Sequence, residues 1–175
     1  MKDNKFETKA IREGYKASQE QEHSAAIFLT SSFTFDSAEQ AAQRFAKEEQ
    51  GNVYSRFTNP TVEAFQDKLA SLEDAESCLA TASGMSAIFA TIMTLSKPGD
   101  HIVASRGMFG TTTVLLNTIV NKFGIEVTFV DLPDLVTWKD SIQSNTKLFI
   151  LETPSNPLGE VVDLRALSVI SKKHN

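Results

Sequence analysis

One cysteine, Cys78, occurs in 175 residues. A single thiol cannot close an internal disulfide, which excludes the cystine-stapled scaffolds and fits a reducing compartment. Its apolar neighbourhood, Ser77–Ala80, predicts an inert buried thiol rather than a nucleophile. No apolar run approaches membrane-spanning length. The N-terminal stretch is too polar for a signal peptide, so a cytoplasmic protein is expected, with no membrane partner. Basic residues number 17 against 22 acidic ones, a net charge of −5, and they form no cluster in the sequence. That balance gives no support to nucleic-acid binding, although a small local basic site could still hold an anion. His23, His101 and His174 are scattered, without ligand spacing to the cysteine or to one another, so no metal site is expected. A glycine-rich nucleotide signature is also missing. Gly84 stands alone, and Gly107-Met108-Phe109-Gly110 has neither the third glycine nor the spacing, so NAD and ATP are not suggested.

What is present is 41% hydrophobic content, enough for one sizeable core. The first 50 residues lack a long clean period. Phe6 to Tyr15 suits a short helix, and Asp36-Ser37-Ala38-Glu39 opens another that runs to about Glu48. The aromatic residues Phe28, Phe33 and Phe35 between them read as packing residues. This segment reads as an arm that packs on something else. Asn59-Pro60 marks the next helix, Asn59 as cap and Pro60 at the first position, with Val62, Phe65, Leu69 and Leu72 on one face. Ser77 to Thr81 reads as a short buried strand. Beyond Ser83, Met85, Ile88, Phe89, Ile92 and Leu95 recur at helical spacing.

From there strands and helices alternate. Strands are expected at His101–Ser105, Ile125–Val130 and Lys147–Leu151, the last apolar after its lysine, as in a sheet covered on both faces. Helices are expected at Thr111–Phe123 with Gly124 as C-cap, at Val136–Ile142 and at Leu164–Lys173. The order predicts a doubly covered, mostly parallel α/β sheet of about four strands. No strand follows the final helix, so the sheet is expected to be incomplete and the chain to be cut. Ligands of such sheets sit beyond the carboxyl ends of the strands, where three loops qualify: Thr81–Met85, Ser105–Thr112 and Glu152–Gly159.

Each loop admits two readings. The small residues of Thr81-Ala82-Ser83-Gly84-Met85 let a ligand approach the backbone of a helix N-terminus, where free N–H groups can hold a phosphate; the turn could equally be an ordinary corner capped by Ser83. Phe109, between glycines, could stack on a flat ligand or plug the helix below it. Asn156, set between Pro154 and Pro157, could donate to a phenolate or carboxylate or close an Asx-turn. Glu152, at the end of the apolar strand, is costly unless paired. Tyr54 and Arg56 are required by no helix period. They are either a hydroxyl and a guanidinium fork for an anion or a half-buried tyrosine and a solvated arginine.

Taken together, Tyr54-Ser55-Arg56, Ser83-Gly84-Met85, Phe109-Gly110 and Glu152-Thr153-Pro154-Ser155-Asn156-Pro157 resemble, in order and over nearly the whole chain, the cystathionine γ-synthase (Cys/Met metabolism) family. The resemblance implies the aspartate aminotransferase-like fold type I of pyridoxal-phosphate enzymes, with an incomplete parallel sheet and an N-terminal arm. It divides the chain into an arm and connector, 1–59, packing on a partner subunit, and the first part of the cofactor domain, 60–175. It implies pyridoxal 5'-phosphate as cofactor, with its phosphate on the N–H groups of Gly84 and Met85, Phe109 on the pyridine, and Asn156 near the ring oxygen and the substrate. Tyr54 and Arg56 would serve the phosphate of a neighbouring subunit, in a dimer of dimers.

The implied reaction is γ-replacement on a homoserine ester, with sulfide or cysteine as acceptor. Most relatives place a tyrosine where this chain has Phe109. That departure resembles the branch acting on O-succinylhomoserine with hydrosulfide, giving homocysteine for methionine biosynthesis, and lowers the odds of a cystathionine lyase. The Schiff-base lysine, in a Ser-x-Thr-Lys context, and the aspartate on the pyridine nitrogen are expected beyond Asn175. No catalytic residue is therefore assigned within the chain, which alone is expected to be inactive. The competing expectation is a non-catalytic α/β fragment that binds a partner through its aromatic arm.

Overall fold

Side chains that accept a backbone N–H start most of the helices. A computed structural model of the chain describes residues 4–174. In it Ser37 accepts from Gln40, Asn59 from Thr61, Ser83 from Ser86, Asp134 from Val136 and Thr137, and Asp163 from Arg165 and Ala166. Such caps satisfy donors that a helix leaves open at its first turn. The chain divides into two compact units, Met1–Ala80 and Thr81–Asn175.

The first unit holds α1 (Phe6–Arg12), α2 (Ala38–Phe45) and α3 (Pro60–Leu72). Helices α1 and α3 pack together, and Lys9 Nζ reaches from α1 to the Ser71 carbonyl at 3.1 Å and to Asp74 at 2.7 Å. Residues 26–33 run beside 53–61 without forming a strand. Ser55 N donates to Ser31 O, Phe33 N to Val53 O, and Phe28 N to Thr61 Oγ1, with one antiparallel bridge between Ser32 and Tyr54.

The second unit carries α4 (Gly84–Leu95), β1 (His101–Ser105), α5 (Gly110–Val114), β2 (Glu126–Val130), α6 (Leu135–Asp140), β3 (Thr146–Ile150) and α7 (Leu164–Lys172). Its strands form a parallel sheet in the order β2-β1-β3. Every residue of the central strand is buried. Side chains alternate across a strand, so Ile102 and Ala104 join Ile92, Leu116 and Val120 on one face. Val103 joins Val130, Leu132, Trp138 and Leu167 on the other. Full burial of one such aliphatic side chain stabilises by roughly 1.5–3 kcal/mol. Trp138 Nε1 donates to the Leu132 carbonyl at 3.1 Å, so the indole is buried without an orphaned donor.

Four expectations are corrected by these elements. Ser77–Thr81 is not a strand: Leu79 is 79% exposed, and Ala80 N donates to the Gln66 side chain instead of a ladder. The fully buried strand is β1, not β3. Among the described residues only β1 is flanked on both sides, whereas β3 has a single neighbour there and stays half-buried. The sheet has three strands among the described residues, one fewer than expected, because Ser77–Thr81 does not join it. The helix after Phe109 begins at Gly110 and changes pitch, with a π-helical segment at Leu115–Ile119 and a 3-10 segment at Val120–Phe123. It stops where expected, at Gly124 with φ 73°. That left-handed conformation suits glycine, and a side chain there would also press on Pro98.

Candidate functional site

The strands are parallel, so the loops after β1 and β3 leave the sheet at the same edge; Ala104 and Ile150 are register partners there. The first turn of α4 reaches the same region, where Thr112 Oγ1 lies 3.8 Å from Met85 Sδ.

In that turn, Ser83 Oγ accepts the N–H of Ser86 at 3.1 Å, and the Ser83 carbonyl accepts that of Ala87 at 3.1 Å. Among the described residues, the N–H groups of Gly84 and Met85 have no partner. A Cβ built on Gly84 would meet no heavy atom within 4 Å, so the approach to these donors is open. The result is two unspent donors at the positive end of a 12-residue helix, which suits an anion.

Phe109 stands at the mouth of α5 and is 50% exposed. Its N–H donates to Glu152 Oε2 at 2.8 Å. Glu152, the acid that the sequence left at the end of an apolar strand, therefore has its partner in the loop of the neighbouring strand. The segment that follows folds on itself. Ser155, buried, donates N–H to the Glu160 carbonyl at 2.8 Å, and its hydroxyl accepts from Glu160 N at 3.0 Å. The peptide bonds before Pro154 and Pro157 are cis. Asn156 is exposed on this loop, and its side chain makes no hydrogen bond among the described residues, so no Asx-turn forms. Gly107 lies against the loop: a Cβ there would come within 3.1 Å of both Ser155 Cβ and Glu160 Oε2.

Tyr54 and Arg56 lie in the Met1–Ala80 unit, on the connector between Gly51 and the cap of α3. Buried Asn59 positions that connector. Its Oδ1 caps α3, and its Nδ2 donates to Phe28 O at 3.1 Å and to Ser55 Oγ at 3.0 Å. Ser55, between Tyr54 and Arg56, also donates its hydroxyl to the Thr30 carbonyl. The Arg56 guanidinium sits over the rings of Tyr54 and Phe57, 5.3 Å and 4.9 Å from their centroids. It makes no ion pair among the described residues.

Thus the loops bearing Gly84, Met85, Phe109 and Asn156 come to one edge of one sheet, and Tyr54 and Arg56 share one stacked cluster in the other unit. Sequence reasoning missed two contributors. Thr112, beside Met85, carried no signal. Phe57, one residue beyond Arg56, could have been read from cation–π spacing. Glu152 is legible in the sequence as an acid in need of a partner, and that partner lies 43 positions away. Among the described residues no cluster of metal-ligating side chains occurs, and no helix is long and apolar enough to cross a membrane.

The profile of the Cys/Met metabolism PLP-dependent enzymes matches residues 7–175. An O-succinylhomoserine sulfhydrylase of Pseudomonas aeruginosa is 51% identical over 166 residues, covering 95% of this chain and 41% of that protein. An L-methionine gamma-lyase of Fusobacterium nucleatum is 47% identical over 145 residues, covering 83% of this chain and 37% of its own length. A Campylobacter jejuni structure assigned as an O-acetylhomoserine (thiol)-lyase, bearing N'-pyridoxyl-lysine-5'-monophosphate, superposes with a TM-score of 0.89 at 33% identity. That match covers 98% of this chain and 42% of the other. The chain therefore spans about two fifths of the length of these relatives.

The parallel sheet with helices on both faces is that of a type I pyridoxal-phosphate enzyme. The chain belongs to the Cys/Met metabolism family of PLP-dependent enzymes. Pyridoxal 5'-phosphate is the cofactor of that family, and the residues present fit it. The open N–H pair of Gly84 and Met85 suits its phosphate, and the exposed Phe109 ring suits its flat pyridine.

Proposed function

We propose that the whole enzyme replaces the succinyl group of O-succinylhomoserine with hydrosulfide, giving homocysteine in methionine biosynthesis. The observation that carries this reading is the 51% identity, across 95% of the chain, to an O-succinylhomoserine sulfhydrylase. Phe109, where most of the family places a tyrosine, supports it: the ring can stack, but it offers no hydroxyl to hold or move a proton.

In this reading Gly84 and Met85 bind the cofactor phosphate through their N–H groups, Phe109 lies on the pyridine, and Asn156 turns its amide to the ring oxygen and the substrate. Bound there, the cofactor supplies an electron sink for the substrate's α-carbon. Tyr54 and Arg56 reach the phosphate in a neighbouring subunit. The arm of residues 1–59 packs on that partner, residues 60–175 begin the cofactor domain, and the assembly is a dimer of dimers. The lysine and aspartate that complete the chemistry are expected outside these 175 residues, so the chain alone is expected to be inactive.

The test is an assay of the purified whole enzyme with O-succinylhomoserine and sulfide, measuring homocysteine. Turnover with sulfide and not with cysteine supports the proposal. Preference for cysteine would make it a cystathionine γ-synthase. Release of methanethiol from methionine, with no γ-replacement, would place it with lyases such as the relative that is 47% identical. An open reading frame that stops after Asn175 would leave instead a non-catalytic α/β module.

A further inference from the structure

We infer that Glu152 is a positioning residue that fixes the backbone from which Phe109 presents its ring to the cofactor. The inference rests on the reading of Phe109 as the stacking residue. With half of its surface exposed, the Phe109 ring is not locked by the core, so its direction depends on its backbone. Both polar groups of that backbone are committed. The Phe109 carbonyl accepts from Thr112 N at 2.8 Å and Thr113 N at 3.3 Å, which ties it to the helix it opens. The N–H donates to Glu152 Oε2 at 2.8 Å, which ties it to the end of the adjacent strand. Removal of the carboxylate would free the residue at one end while leaving the helix intact.

The same geometry explains an acid at this place. Glu152 is separated from the end of strand β3 by Leu151 alone and is half-buried, where an unpaired carboxylate is unfavourable. A backbone N–H is a partner that no substitution elsewhere can remove. The side chain must also span from one strand end to the loop of its neighbour, and glutamine has the same length and keeps an acceptor oxygen. Gly107 reinforces the junction, since its lack of a side chain lets Ser155 and Glu160 approach the Phe109 loop closely.

The experiment compares Glu152→Met, Glu152→Gln, Phe109→Ala and the Glu152→Met/Phe109→Ala double variant in the whole holoenzyme. The readouts are the dissociation constant for pyridoxal 5'-phosphate, the visible circular dichroism of the bound cofactor, and amide hydrogen exchange at Phe109. Loss of one hydrogen bond predicts that Glu152→Met weakens cofactor binding about three- to tenfold. It should also lower the dichroic amplitude and speed exchange at Phe109, and Glu152→Gln should restore all three. Because Glu152 acts through the ring, the double variant should bind cofactor no more weakly than Phe109→Ala alone.

If Phe109→Ala weakens binding while Glu152→Met changes neither affinity nor dichroism, the inference is overturned. Full additivity in the double variant overturns it too. If Phe109→Ala leaves cofactor binding intact, the stacking assignment itself fails and the inference falls with it; faster exchange in Glu152→Met would then mark a tether with no role toward the cofactor. Should Glu152→Met fail to fold, native-like dichroism and exchange in Glu152→Gln support the inference, and altered values oppose it.

Discussion

The Asn59 amide donates to the Phe28 carbonyl, 3.1 Å away and 31 positions earlier in the chain. Through this bond and its cap on α3, one buried side chain joins the arm, the Tyr54–Arg56 connector and the helix. Aspartate is as good a cap but cannot donate, so the two roles can be separated. Asn59→Asp should keep the cap, lose both donor bonds and destabilise by about 1–3 kcal/mol. Asn59→Ala should cost about 1 kcal/mol more. Urea unfolding measures both; an Asn59→Asp protein as stable as the parent would reduce Asn59 to a cap.

Gly84→Ala is a substitution that the fold should accept. Gly84 opens α4, and its Cβ would enter empty space, while alanine in a helix is favoured over glycine by roughly 0.5–1 kcal/mol. The apo protein should be at least as stable as the parent. The added methyl would nevertheless stand beside the two free N–H groups, so cofactor affinity should fall by about tenfold, the cost of one weakened contact to a charged group. Thermal unfolding and cofactor titration, run side by side, check the two halves. Unchanged affinity would remove the phosphate from this turn.

His101 gives the protein an acid-sensitive point. It is fully buried at the start of β1, its Nδ1 2.8 Å from Thr146 Oγ1 and its Nε2 2.9 Å from Thr128 Oγ1. Burial lowers its pKa below the ordinary 6.5, and the charge of Glu126 opposes that shift. The folded state therefore holds His101 neutral where the unfolded chain would already bind a proton. Its contribution is complete above the unfolded pKa and is lost as pH falls through the folded one. The urea midpoint should drop from pH 7 toward pH 5, and His101→Asn should flatten that slope. An equal slope in the variant would assign the loss to carboxylates.

Arg56→Ala should weaken cofactor binding about ten- to a hundredfold, the range for a charge-assisted contact worth roughly 1.5–3 kcal/mol. The guanidinium already rests on Tyr54 and Phe57 and has no acidic partner among the described residues, so little must be rearranged for it to take an anion. Mixed assemblies of Arg56→Ala subunits with subunits lacking the cofactor lysine locate the effect. An intact site in the Arg56→Ala subunit, with both defects falling on the site that already lacks the lysine, supports the cross-subunit role. Loss confined to the altered subunit's own site removes it.

The sequence by itself determined the features that depend on neighbours along the chain. Asn59 and Ser83 were legible as caps, Gly124 as a helix stop and His101–Ser105 as a strand, because each depends on residues within a few positions. The ordered motifs also carried the family. Only the tertiary structure decided which distant groups meet. Ser77–Thr81 has strand-like residues but no ladder, since a strand exists only if another segment offers its free edge. Lys147–Leu151 reads as an apolar strand covered on both faces, yet the order β2-β1-β3 gives full burial to β1. The pairs Glu152–Phe109, Asn59–Phe28 and Thr112–Met85 are separated by 43, 31 and 27 positions. No local preference encodes such pairs. They follow from strand order and helix packing, which bring chain segments together only when the core closes.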